Sequence, residues 1–193
     1  MDFFEAVEKR GSYRDSFTDQ PVPEADLRKI LTAGLRAPSG YNFQSTSFVV
    51  VTDPGLRRQL AELMPTKATR TAPVILVAVS ERITAQAGSS FSPEIEADAS
   101  LCFEMEDYAA AVENILLAIT ALGYAGVWMD GMTRQENKGA AIAKILDIPA
   151  GKTVRTIIPL GIPAAPVTQK QKKIPGGARH LALSPPCGPV LPC

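Results

Sequence analysis

The chain has 193 residues, 46% of them hydrophobic, with 20 basic and 20 acidic side chains. That length and apolar content suit one domain with a full core, and the lack of a basic excess argues against a general nucleic-acid binder. No apolar run reaches the length of a membrane span, and "MDFFEAVEKR" sets acids where an export signal sets bases, so a cytoplasmic protein is expected.

In chain order, Phe3, Phe4 and Val7 share one face of a short first helix that Gly11 would stop. A second helix opens at "PVPEADL" with Pro23 in its first turn, carries Leu27, Ile30, Leu31, Gly34 and Leu35 as its apolar stripe, and ends at Pro38. "SFVVV" is a strand. Asp53-Pro54 reads as N-cap and first-turn proline of a helix bearing Leu56, Leu60 and Leu63. "PVILVAV" is a second strand whose unbroken apolar run implies cover on both faces. Residues 81–107 show little periodicity and read as a long excursion or lid with room for a short helix.

The longest helix is expected from about Asp107, as its cap, to Leu122, with Tyr108, Ala111, Val112, Ile115 and Ile119 at helical spacing and Gly123 as its stop. "AGVWM" is a third strand, with Trp128 assigned to packing. Thr133 and Glu136 form a T-x-x-E capping box for a helix through Ile142 and Leu146. "TVRTIIPLG" is a fourth strand. From Ala164 onward proline, glycine and lysine predict an extended arm. Interleaved helices and strands give an α+β or α/β architecture in one domain.

Several chemistries are disfavoured. His180 is the single histidine, so a His-dependent hydrolase or a His-ligated metal centre would rest on one residue near the C-terminal end. Cys102, Cys187 and Cys193 form neither a CxxC pair nor a zinc spacing, and no metal site is expected. No GxSxG or Walker A motif is present. Enzyme chemistry, if there is any, would come from a bound cofactor.

Two polar stretches are candidates to bind one. In "KRGSYR", Arg10, Ser12 and Arg14 alternate, so an extended backbone would point them the same way. They are either a solvated basic turn or hooks for an anion. In "APSGYNFQ", Asn42 and Gln44 are again two apart, and amides match the mixed donor and acceptor edge of a heteroaromatic ring. The alternative is a polar loop bonding its own backbone.

The order and spacing of "KRGSYR", "APSGYNFQ", "SFVVV", "APVILVAV", "AVENILLAITALGYAGVWMDG", "IIPLGIP" and "KKIP" resemble the nitroreductase-like FMN-binding family, whose pattern is R-R-S-x-R followed by A-P-S-x-x-N-x-Q-P before a strand. Gly11 replaces the second arginine, and Ser45 stands where proline is common. The resemblance implies an α+β fold with a mixed, mostly antiparallel sheet flanked by helices, in an intertwined homodimer. Residues 1–175 would form the FMN-binding domain and 176–193 a Pro-rich arm.

By the same resemblance Arg10, Ser12 and Arg14 would hold the FMN phosphate and the pyrimidine side of the ring. Pro38, Ser39, Gly40, Asn42 and Gln44 would reach the flavin from the other subunit. Backbone N–H groups near Asp130 and Gly131 would face N5, Lys172 and Lys173 would complete the phosphate grip, and Lys67 would lie in a loop near the ring. No side chain would be catalytic, because the flavin carries the chemistry. The implied activity is NAD(P)H-dependent reduction of a nitroaromatic, quinone or similar flat acceptor, with residues 81–107 setting selectivity. A nicotinamide-independent flavoenzyme and a non-catalytic flavin-binding dimer are the alternatives.

Overall fold

The computed structural model describes residues 1–81 and 93–170, with side chains of the longest helix described from Phe103 onward. Four strands, β1 (Thr46–Val51), β2 (Val74–Glu81), β3 (Ala125–Gly126) and β4 (Lys152–Gly161), form one antiparallel sheet in the order β1-β2-β4-β3. An isolated parallel bridge between Ser12 and Gly126 makes the sheet edge mixed.

The helices are α1 (Phe3–Lys9), α2 (Glu24–Leu35), α3 (Pro54–Leu63), α4 (Lys67–Thr71), α5 (Pro93–Ala121), α6 (Asp130–Thr133) and α7 (Lys138–Ile145). Their starts follow local chemistry. Asp2 and Asp53 cap α1 and α3 by accepting the N–H of Glu5 and Leu56, and Thr66 and Thr69 make a reciprocal capping box on α4.

Residues Val74 to Ser80 of β2 are all buried, as the continuous apolar run implies. Their alternation divides the core in two. Ile75, Val77 and Val79 pack with Leu60, Met64, Ile142 and Ile157 under α3 and α7. Val74, Leu76 and Ala78 pack with Leu27, Ile30, Val112, Ile115, Ile119 and Ile158 under α2 and α5. The sheet is therefore covered on both faces, and its β3 edge carries the Ser12–Tyr13 segment through the bridge to Gly126.

Gly34 sets the approach of α2 to α5. A Cβ there would lie 2.7 Å from Cγ1 of Ile115 and 3.1 Å from Cε2 of Phe48. Ile115 is fully buried and has nowhere to swing. Gly34→Ala is expected to lower the unfolding free energy by about 1–3 kcal/mol despite alanine's better helix propensity. Urea denaturation at an unchanged m-value checks this, and a variant as stable as the parent would show slack between the helices.

Four expectations are corrected. The long helix begins at Pro93, so most of the supposed lid is helical and Asp107 lies inside α5 as a buried residue instead of capping it; residues 82–92 fall outside the described part. Thr133 and Glu136 make no capping box. Thr133 closes α6 and donates its hydroxyl to the carbonyls of Asp130 and Arg155, while Asn137, left-handed at φ 55°, precedes α7. The third strand is two residues long, followed by a single bridge from Met129 to Ile157.

Finally, the chain after Ala164 is irregular but packed. Ala164 N–H donates to Ser16 O, Ala165 N–H to the Tyr13 hydroxyl, and Gln169 Nε2 to Arg10 O at 2.8 Å. Residues 171–193, including the remainder of the arm with Cys187 and Cys193, lie outside the described part. Phe3, Phe4 and Val7 do share α1, yet all three are exposed in the single chain. Gly123, at φ 85°, ends the α5 segment as its spacing predicts.

Candidate functional site

The segment after α1 is extended and alternates as its spacing requires. Tyr13 points inward and is 5% exposed, while Ser12 and Arg14 on either side are exposed. Tyr13 fixes this orientation. Its N–H donates to Gly126 O at 3.1 Å, its hydroxyl donates to Ser16 O at 2.7 Å, and its ring meets Phe17 edge to face. Arg14 donates to Ser12 O at 3.3 Å and, among the described residues, has no carboxylate partner.

Arg10 is more committed. Its Nε lies 3.3 Å from Oε1 of Glu113 on α5. Gly11 is packed from above, since a Cβ there would meet Cγ1 of Val167 at 2.9 Å and Thr168 O at 3.1 Å. The C-terminal segment thus runs over the position where the family pattern has its second arginine. Lys67, at the start of α4, pairs with Asp15 at 3.1 Å and so joins this segment. The Ser16 N–H, and then Lys67, hold the Asp15 carboxyl below the usual carboxylate range.

The bridge from Ser12 to Gly126 places this segment beside the chain that continues through Trp128 to Gly131. Met129 N–H is held by Ile157 O and the Thr156 hydroxyl, which anchors the start of α6. Asp130 turns its carboxylate to Arg134 at 3.0 Å. Gly131 is exposed, and a Cβ there would meet none of the described residues within 4 Å. Trp128 packs edge to face on Tyr108 with centroids 5.7 Å apart, and among the described residues its indole nitrogen is buried without a hydrogen-bond partner.

The second predicted stretch forms a tight loop around a 3-10 turn, Gly40–Asn42. Tyr41, Asn42 and Gln44 have φ of 47°, 57° and 53°, a left-handed cluster that non-glycine residues adopt only when held there. Part of the hold is internal: Ser39 Oγ accepts the Gln44 N–H at 3.1 Å, which is the self-bonding loop the sequence allowed. The rest comes from α5, where Asp107 accepts the Gly40 N–H at 2.7 Å and the Ser45 hydroxyl at 2.9 Å. Phe103, one turn earlier, fills the space a Cβ at Gly40 would need, at 2.6 Å. Pro38, Asn42 and Gln44 are exposed.

Within one chain the two stretches reach α5 at different heights. Arg10 meets Glu113 and Gly40 meets Asp107, six residues apart and so about 9 Å along the helix. Arg10, Ser12, Arg14, Asp130 and Gly131 form one group, and Ser39, Gly40, Asn42 and Gln44 another. Lys172 and Lys173 lie outside the described residues.

Sequence reasoning missed Asp107 and Phe103 as supports of the loop. The available signal was a carboxylate within an apolar helical stripe, a position that demands hydrogen-bond partners. Among the described residues no group of three or more His, Cys, Asp or Glu side chains could hold a metal ion. No helix among them is long and apolar enough to cross a membrane.

Comparison with known proteins extends these observations. The model of the nitroreductase family matches residues 7–162. A protein of Methanothermobacter thermautotrophicus, provisionally assigned as an NADH dehydrogenase/NAD(P)H nitroreductase, is 31% identical over 165 residues, covering 85% of this chain and 78% of that protein. An NADPH-flavin oxidoreductase of Vibrio harveyi is 29% identical over 76% of this chain and 60% of that protein.

Among solved structures, nitroreductase A of Vibrio parahaemolyticus superposes with a TM-score of 0.73 at 27% identity, covering 89% of this chain and 72% of that one. A provisionally assigned nitroreductase of Desulfovibrio desulfuricans in complex with FMN gives 0.70 at 27% identity, covering 90% and 93%. With the family model matching residues 7–162 and a relative 31% identical over 85% of the chain, this chain belongs to the nitroreductase family.

Proposed function

We propose that the chain is an FMN-dependent NAD(P)H oxidoreductase that works as a homodimer in the cytoplasm and passes reducing equivalents to a nitroaromatic, quinone or similar flat acceptor. The observation that carries this reading is the pairing of outward Ser12 and Arg14 with the Gly126–Gly131 chain through the Ser12 bridge. An anion hook is thereby set beside the chain that leads into α6. The FMN complex of the Desulfovibrio desulfuricans relative and the name of the Vibrio harveyi relative support the cofactor and the reductant.

The donor set fits an FMN. Arg14 is a planar cation without a carboxylate partner among the described residues, Ser12 offers a hydroxyl, and Asn42 and Gln44 offer amides. When bound, flavin supplies hydride acceptance and donation at N5. Arg10, Ser12 and Arg14 hold the phosphate and the pyrimidine side, and Arg14 balances the negative charge that reduction brings to that edge. Pro38, Ser39, Gly40, Asn42 and Gln44 reach the ring from the second subunit, with the two amides reading its edge. The backbone N–H groups at Asp130 and Gly131 would orient N5. No side chain is needed as a general base, because water can protonate the reduced acceptor, and this agrees with a chain holding one histidine.

The purified protein is expected to carry yellow, extractable FMN and to oxidise NADH or NADPH with menadione or nitrofurazone. Varying both substrates should give parallel double-reciprocal lines, the signature of two half-reactions on one cofactor. Colour without turnover by either nicotinamide would overturn the oxidoreductase assignment. A colourless protein unable to bind added FMN would overturn the cofactor.

A further inference from the structure

We propose that Asp107 is the positioning residue of the Ser39–Ser45 loop, and that its carboxylate sets the geometry in which Asn42 and Gln44 meet the flavin. This rests on the flavin reading above. Asp107 is 4% exposed, in the middle of α5. A carboxylate so buried must be satisfied by donors. Both of its described donors come from one loop, and they bracket the residues at issue: Gly40 N–H lies on Oδ1 at 2.7 Å and Ser45 Oγ on Oδ2 at 2.9 Å.

Between those two points lie three left-handed non-glycine residues, Tyr41, Asn42 and Gln44. Such backbone persists only where its surroundings over-determine it, and the clamp supplies that at both ends. The side chains of Asn42 and Gln44 are exposed, and within the loop Gln44 Nε2 donates a long 3.4 Å bond to Asn42 O. Phe103 assists by sealing the face of Gly40. Asp107 thus acts on the ring through the loop without touching it.

The experiment compares Asp107→Ala, Asp107→Asn and Ser45→Ala with the parent chain, measuring the FMN Kd by fluorescence titration, the visible circular dichroism of bound flavin and the melting temperature without flavin. All titrations run well below every melting temperature. Asp107→Ala is expected to weaken FMN binding by about tenfold or more and to alter the flavin dichroism, because two charge-assisted bonds are lost. Ser45→Ala should move both readouts in the same direction by less. Asp107→Asn keeps an acceptor for Gly40 and gains a donor toward Ser45, and should recover the Kd to within about threefold.

Parental Kd and dichroism in Asp107→Ala, with only the melting temperature lowered, would reduce Asp107 to a role in stability and overturn the inference. If that variant does not fold, parental values in Ser45→Ala do the same. A parent chain that binds no FMN would instead overturn the flavin reading, and this inference with it.

Discussion

Replacing both arginines of the extended turn, Arg10→Ala with Arg14→Ala, is expected to weaken FMN binding by about a hundredfold or more. A hydrogen bond to a charged group contributes about 1.5–3 kcal/mol, and two such losses exceed the roughly 2.7 kcal/mol that a hundredfold change requires. The two residues should not contribute equally. Arg14 is exposed and free of a described carboxylate partner, so nearly all of its charge is available to a ligand. Arg10 already shares its guanidinium with Glu113, and its removal would leave that carboxylate unbalanced beside the proposed phosphate site.

Arg14→Ala alone should therefore account for the larger part, and Arg14→Lys should recover only some of it, since an ammonium keeps the charge without the planar fork. Fluorescence titration with FMN measures each Kd. Repeating it at higher salt should narrow the gap between parent and variants, as screening predicts for exposed charges. The melting temperature without flavin should barely move for Arg14→Ala, whose side chain is exposed, and should fall slightly for Arg10→Ala, which loses its pair with Glu113. A double variant that holds FMN as tightly as the parent would remove the turn from the site.

The parts of the fold legible in the sequence were those with local causes. The apolar run of β2 announced its burial on both faces, Asp53-Pro54 announced the start of α3, and Gly123 announced the end of α5. The N-terminal half of α5 was hidden because its stripe is interrupted by polar residues whose partners lie far along the chain. Asp107 serves a loop 62 and 67 residues away, and Glu104 is buried against Ser80 and Arg155 of the sheet. A carboxylate at such a place breaks the apolar period while the fold requires it there.

Thr133 failed as a cap for a related reason. Its hydroxyl is used by Arg155 O in β4, 22 residues away, and Glu136 is left-handed at φ 50°. At the candidate site, the alternation of Ser12 and Arg14 about the buried Tyr13 could be read, since an extended segment points alternate side chains the same way. The clamp that shapes the Ser39–Ser45 loop could not, because it exists only once α5 is laid beside it.

The second large effect concerns assembly. Phe3, Phe4 and Leu35 are 62%, 77% and 60% exposed, apolar side chains on α1 and at the end of α2. We infer that a second copy of the chain covers them. Phe3→Asp with Phe4→Asp is then expected to yield a monomer by analytical ultracentrifugation. Burying one phenylalanine contributes about 1.5–3 kcal/mol, and a symmetric dimer would lose four of them, roughly 6–12 kcal/mol before the cost of burying aspartate. That is enough to bring a nanomolar dimer to roughly tens of micromolar at the lower figure and past millimolar at the upper.

FMN binding should fall with the dimer, because each site would join the Arg10–Arg14 turn of one chain to the Asn42–Gln44 loop of the other. A mixing experiment separates this shared site from a site within one chain. The Arg10→Ala, Arg14→Ala chain lacks the turn, and an Asn42→Ala, Gln44→Ala chain lacks the loop. Alone, each dimer would have two damaged sites. After unfolding and refolding together, every mixed dimer would have one site with a sound turn and a sound loop, and one with neither. Recovery of one tightly bound FMN per mixed dimer is the expected result. A mixture that binds no better than its two components, although mixed dimers form, would place each site within a single chain, since no exchange of subunits could then repair it.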